Sequence, residues 1–227
     1  MQGVAVLLTA AQGLIMRRVI LLRRCGFHRA AKRLYARWAL TLSLMTWAAM
    51  LVQEMLLLKA GLLSWQSGLP LHLCSAIGLL TPPMLLTGRR PLWHITLYLG
   101  LPAGLLATLF PSVITTPWPY LTRLSFHLLH GCVFLAPLLP LCLGVEPSPG
   151  GVLPAGVFLA FLTLLAAGVN RLTGANYLFL NLPAPGTPLA ALAKGGVHTY
   201  RAWLAGLCAA VLAGEAGIVG QLTHPHG

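Results

Sequence analysis

Six stretches of this chain, roughly residues 38–58, 68–87, 91–110, 124–144, 151–170 and 200–220, are apolar over close to the length that a bilayer demands. A helix needs about 20 mostly apolar residues to cross the hydrocarbon core. A seventh stretch, Val4 to Met16, is shorter. Its basic residues follow the apolar run, the reverse of a signal peptide, so it reads as a first span over about 4–16. The expectation is an all-α, polytopic transmembrane helical bundle of six to seven spans, a single integral membrane domain over residues 1–227. Charge usage agrees. Only 8% of residues are charged, against about 25% in soluble domains. Asp is absent, and the acids are Glu54, Glu146 and Glu215. So few charges cannot clothe a water-soluble surface. Catalysis by Asp-containing triads, Asp dyads or carboxylate metal cages is excluded by the missing residues.

The net charge of +12 raises the question of nucleic acid, and its distribution answers it. Eight of the 15 Lys and Arg residues lie between Arg17 and Arg37, between two apolar segments. That placement is what the positive-inside rule produces in a cytoplasmic loop, and it can also meet anionic headgroups. No nucleic-acid module is recognisable. With the 17–37 loop cytoplasmic, the N-terminus lies outside and the C-terminus is cytoplasmic in a multi-pass protein of the cell membrane. Arg89–Arg90 then fall inside as well. Lys59, Arg123, Arg171, Lys194 and Arg201 fall outside. Of the outer segments, 171–199 carries Tyr and Phe, which suits an interface-lying or re-entrant path.

Polar side chains at membrane depth are costly and usually face a cavity or a partner. The third span opens Leu69-Pro70-Leu71-His72-Leu73-Cys74, and the fifth carries Ser125-Phe126-His127-Leu128-Leu129-His130. The outer loop offers Asn170, Asn176 and Tyr177, and the last span begins Tyr200-Arg201. The derived topology puts all of these near one side of the membrane. His127 and His130, three apart, share a helix face; His72 and Cys74, two apart, would diverge by about 200° in a regular helix. They converge only if Pro70 distorts the turn.

Most cysteines in apolar helices are small buried hydrophobes, the ordinary reading for Cys132, Cys142 and Cys208. Cys25 sits in the basic segment. No C-x-x-C occurs, against a thiol oxidoreductase. His28 and His94 read as satisfied by neighbouring groups, His198 as interfacial, and His224 and His226 as tail residues. Gly100 and Gly104 form a G-x-x-x-G that reads as helix packing. Pro82–Pro83 and Pro137 read as kinks.

The Leu69-Pro70-Leu71-His72-Leu73-Cys74 hexapeptide, then His130-Gly131, then Asn176-Tyr177-Leu178-Phe179-Leu180 resemble the YwaF-like family of integral membrane proteins, over about residues 65–205. Vertebrate relatives of that family are transmembrane acyltransferases that move polyunsaturated chains onto lyso-ether-phospholipids. The resemblance implies an acyl-accepting thiol at Cys74 and its base at His130. It also touches, more remotely, membrane lipid hydrolases, which makes hydrolysis by the same pair an alternative. The first helix falls outside the resemblance.

The expectation is a cysteine-dependent lipid acyltransferase. Cys74, deprotonated by His130 or His127, forms a thioester that a lysophospholipid resolves; the partners are membrane phospholipids and lysophospholipids. No cofactor and no metal is expected. A thiolate is required, because a free thiol has a pKa near 8.5. With no Asp available, Asn176, Tyr177 or a backbone carbonyl must orient the imidazole. Asn170, Asn176 or Tyr177 are candidate oxyanion donors. Arg201 is a candidate for a lipid phosphate, and His72 for a supporting role. Two rivals use other chemistry. His72, His127 and His130 with Cys74 are ligand types for zinc or haem iron. A third class is a transporter or a non-catalytic membrane scaffold; transporters usually show matching broken repeats, which the sequence lacks.

Overall fold

The computed structural model describes residues 2–184 and 186–223, and His224 and His226 lie outside the described residues. The described chain is helical, with no strand. Eight α-helices follow in order: α1 (Gln2–Arg24), α2 (His28–Lys59), α3 (Leu73–Thr87), α4 (Arg90–Ile95), α5 (Leu101–Leu109), α6 (Pro119–Leu135), α7 (Val152–Thr173) and α8 (Val197–Thr223). Five helical segments, His28–Lys59, Arg90–Leu109, Pro119–Leu143, Pro149–Thr173 and Val197–Thr223, are long and apolar enough to cross a membrane. The apolar helix Leu73–Thr87 is shorter.

The outward faces confirm which solvent these helices were built for. On α7, Leu153, Val157, Phe161 and Leu164 are 70, 64, 62 and 75% exposed, a stripe that water would not tolerate. The inward faces carry small residues. On α2, Ala39, Leu42, Ser43, Thr46 and Ala49 are buried against α1, α3 and α6. Small residues let backbones approach closely where lipid supplies no hydrophobic drive. Ser43 and Thr46 return their hydroxyls to the carbonyls of Ala39 and Leu42, 2.7 Å each, so neither is left unsatisfied.

The expected 17–37 loop is not a loop. α1 continues through Arg17, Arg18 and Arg23, and α2 begins at His28, leaving a turn at residues 25–27 in which Gly26 takes a φ of +81°. Arg, Lys, Ala and Leu are all good helix formers, so the basic block extends the two helices rather than separating them. The first helix therefore runs to Arg24 and not to Met16, and it is not among the five segments long and apolar enough to cross a membrane. α1 is fastened into the bundle by Gln12. Its amide donates to the Leu135 carbonyl at 3.3 Å and accepts the indole N–H of Trp38.

Other boundaries shift for local reasons. The third helix starts at Leu73, not 68, because Pro70 and the extended His72 (φ −74°, ψ 145°) precede it. The 91–110 span contains a π-turn at Thr96–Gly100, just before Pro102, whose missing N–H cannot bond the carbonyl four residues back. The 124–144 span starts earlier, at Pro119, and passes into a 3-10 helix, Ala136–Leu143, where Pro137 and Pro140 interrupt the α pattern. The long outer segment contains short 3-10 turns at Tyr177–Phe179 and Pro188–Gly195.

Candidate functional site

The two most distinctive sequence motifs meet in space. His72 caps the start of α3 in an extended conformation, so the helical divergence between His72 and Cys74 does not apply. Its imidazole packs against two rings of the Asn176–Leu180 segment: Tyr177 at 5.2 Å between centroids and Phe179 at 5.0 Å. Beneath them Leu71, Ala76, Leu162, Ala166, Ala175 and Tyr177 form one buried cluster from α3, α7 and the loop.

That loop is strained and heavily tied. Leu178 and Phe179 adopt φ values of 55° and 54°, left-handed backbone for two consecutive residues with side chains. Each costs about 1–3 kcal/mol and persists only where its surroundings over-determine it. Here asparagines do so. Asn170 Oδ1 accepts the Tyr177 N–H at 2.8 Å, and Asn170 Nδ2 donates to the Tyr177 carbonyl at 3.0 Å. Asn176 Oδ1 accepts the N–H groups of Asn181 and Leu182, while its Nδ2 donates to the Leu182 carbonyl. The Tyr177 hydroxyl donates to the Trp65 carbonyl and accepts the Leu69 N–H, 3.0 Å each, which ties the loop to the segment entering α3. Burial raises this hydroxyl above its ordinary pKa of 10.0; the Leu69 hydrogen bond opposes the rise and the charge of Glu54 adds to it. Arg201 Nε donates to the Leu180 carbonyl and its Nη2 to Asn181 Oδ1, at 2.9 and 2.7 Å.

On α6, His130 is 9% exposed and its ring lies against Phe126, centroids 4.0 Å apart. Its Nδ1 sits 2.7 Å from the Phe126 carbonyl oxygen. A carbonyl can only accept, so Nδ1 carries the proton and the neutral ring keeps its lone pair on Nε2. This backbone group does the orienting work that a buried aspartate does elsewhere. Gly104 makes the close packing here: a Cβ on it would lie 2.7 Å from the Phe134 nitrogen and 2.9 Å from the His130 carbonyl.

Cys74, in the first turn of α3, is half-buried and forms no hydrogen bond to either histidine among the described residues. His127 is half-buried, its Nδ1 has no partner, and it lines a separate hollow of about 380 Å³ with Pro111, Val113 and Arg123. Among the described residues no group of three or more His, Cys, Asp or Glu is arranged to hold a metal ion. Cys132 and Cys142 are buried and Cys25 is exposed.

Five groups at this site escape a reading of residue types. They are the Phe126 carbonyl, the Phe179 ring on His72, Asn181, and the Leu69 and Trp65 backbone held by Tyr177. The spacing of Phe126, four before His130, is the signal that could have revealed the first. Asn170, Asn176 and Arg201 all make their side-chain hydrogen bonds to the loop.

Comparison with known proteins adds one result. The family model of the TMEM164 family matches residues 4–214, beyond the 65–205 core and into the first helix. The matching designation is that one and not the YwaF-like one. No curated protein and no solved structure matches the chain.

Proposed function

The chain belongs to the TMEM164 family, and on that premise we propose that it is a multi-pass membrane acyltransferase that carries an acyl chain on Cys74. The observation that carries this reading is the fixed tautomer of His130, an imidazole with Nε2 free to take a proton. His130 Nε2 takes the Cys74 thiol proton, and the thiolate attacks the carbonyl carbon of a phospholipid ester. The ester C–O bond breaks, and the departing alkoxide recovers the proton from the imidazolium. In the second half His130 takes the proton of a lysophospholipid hydroxyl, whose oxygen attacks the thioester. The C–S bond then breaks, and the thiolate regains its proton from His130.

Cys74 Sγ has no hydrogen bond to His130 in the ligand-free protein, and catalytic contacts of this kind commonly tighten only with substrate bound. Asn170, Asn176, Tyr177 and Arg201 serve this reading as positioning residues that hold the strained loop on His72. The orientation places the N-terminus outside, the C-terminus in the cytoplasm and the Cys25 turn on the cytoplasmic face, supported by the basic residues around that turn.

The test is purified protein in lipid discs given a phospholipid donor and a labelled lysophospholipid. Transfer of the chain to the lysolipid supports the proposal, and release of free fatty acid alone replaces it with hydrolysis by the same pair. Neither product would refute both.

A further inference from the structure

The far end of α2 carries a second polar site. α2 has 32 residues, about 48 Å at 1.5 Å per residue. Its Lys59 end adjoins the segment that leads to His72, and its His28 end adjoins α1. There Arg23, His28, Lys32 and Leu143 line a hollow of about 270 Å³. His28 and Lys32 are four apart and share one face of α2. Pockets for small molecules begin at roughly 300 Å³, so this one has the size of a headgroup and not of a lipid.

Arg23 is held in place. Its Nη1 donates to the Cys142 carbonyl at 2.9 Å. Gly144 lies directly beneath the guanidinium: a Cβ there would stand 2.9 Å from Nη2 and 3.0 Å from Nη1, and the residue's φ is +75°. Glycine is favoured here by the left-handed backbone, and a side chain would push on the guanidinium. Its remaining N–H groups have no hydrogen-bond partner among the described residues, and no carboxylate lines the hollow. Glu146, the nearest acid in sequence, is exposed and is not among the lining residues.

We propose that this hollow binds a phosphate group. Arg23 supplies the planar fork that suits phosphate oxygens, with Lys32 a mobile point charge and His28 a further donor. The phosphate comes either from a phospholipid headgroup or from a free phosphate ion. The site is independent of the acyl-transfer reading and lies too far along α2 to hold the headgroup of a lipid reacting at Cys74.

The test is native mass spectrometry of the full chain in detergent with short-chain phosphatidylglycerol, matched diacylglycerol or inorganic phosphate. Retention of phosphatidylglycerol over diacylglycerol is expected, with a loss of about tenfold in Arg23→Gln/Lys32→Gln. Removing the same charge with Arg33→Gln/Arg37→Gln, which do not line the hollow, leaves retention unchanged. Gly144→Ala weakens it with no change in charge. If Arg23 variants fail to fold, His28→Gln/Lys32→Gln, two exposed positions, gives the comparison against Arg33→Gln, which likewise removes one charge. Displacement of the lipid by inorganic phosphate supports the proposal with a free phosphate source, and its failure to displace supports a headgroup. Equal loss from both charge pairs, or equal retention of diacylglycerol, overturns the proposal.

Discussion

His130 Nδ1 lies 2.7 Å from the carbonyl oxygen of Phe126, one helical turn before it. In a chain without a single Asp, that bond is what sets the tautomer of the ring, and it leaves Nε2 as the basic nitrogen. The ring is pressed on Phe126 and almost sealed from outside, so the bond is well shielded from competition by water.

The tautomer is directly observable. Nitrogen NMR of histidine-labelled protein should show His130 neutral with the proton on Nδ1 near neutral pH. Under the proposed chemistry, His130→Gln lowers acyl transfer by about 10²–10⁴-fold, the usual worth of a general base. The helical content should not change. Full transfer in that variant would remove His130 from the reaction.

Asn170 is the chief tether of the strained loop. Asn170→Ala leaves the Tyr177 N–H and carbonyl without their side-chain partners. Each unsatisfied buried group costs about 1–3 kcal/mol. A lowered thermal midpoint in detergent should result, together with loss of transfer as His72 is released. Asn170→Asp keeps the acceptor and loses the donor, and should fall between the two.

Tyr177→Phe removes the hydroxyl that joins Trp65 and Leu69. Because burial raises the pKa of this hydroxyl above 10.0, its contribution to stability is fully present below the unfolded value of about 10. It is lost as pH rises through the higher folded value. The stability gap between wild type and Tyr177→Phe should be flat from about pH 6 to 9 and should narrow above about 10. Chemical denaturation at a series of pH values checks this.

Gly104→Ala tests the packing under the site. The new Cβ would meet the backbone of α6 at Phe134 and His130 below 3.0 Å, so the helix must move. Overpacking of this kind costs about 1–3 kcal/mol. Transfer should fall, with a lower thermal midpoint. Gly156→Ala, where a Cβ meets nothing within 4 Å, is the matched control and should be neutral.

The spans were legible because a bilayer imposes its own length on apolar runs, and nothing in the charge pattern conflicted. The basic block was not, because positive charge marks a membrane side without saying whether the backbone there is helical. Arg and Lys next to Ala simply prolonged α1 and α2. At the site, Cys74, His72, His130 and Tyr177 stood out as polar groups in apolar surroundings. The role of Phe126 did not, since any residue four before a histidine offers the same carbonyl, and the ring's rotamer decides. Asn170 and Asn176 were visible as polar residues in the loop and its helix. Only coordinates reveal that their amides close on its backbone, where two left-handed residues need them.

The central claim is that sulfur from the start of α3 carries the acyl chain. The measurement is intact-protein and peptide mass after brief incubation with a phospholipid donor, with and without hydroxylamine. An acyl adduct on Cys74 that hydroxylamine removes is expected. It should be absent from Cys74→Ala, although Cys25, Cys132, Cys142 and Cys208 remain. An adduct on another residue, or undiminished transfer by Cys74→Ala, would contradict the account.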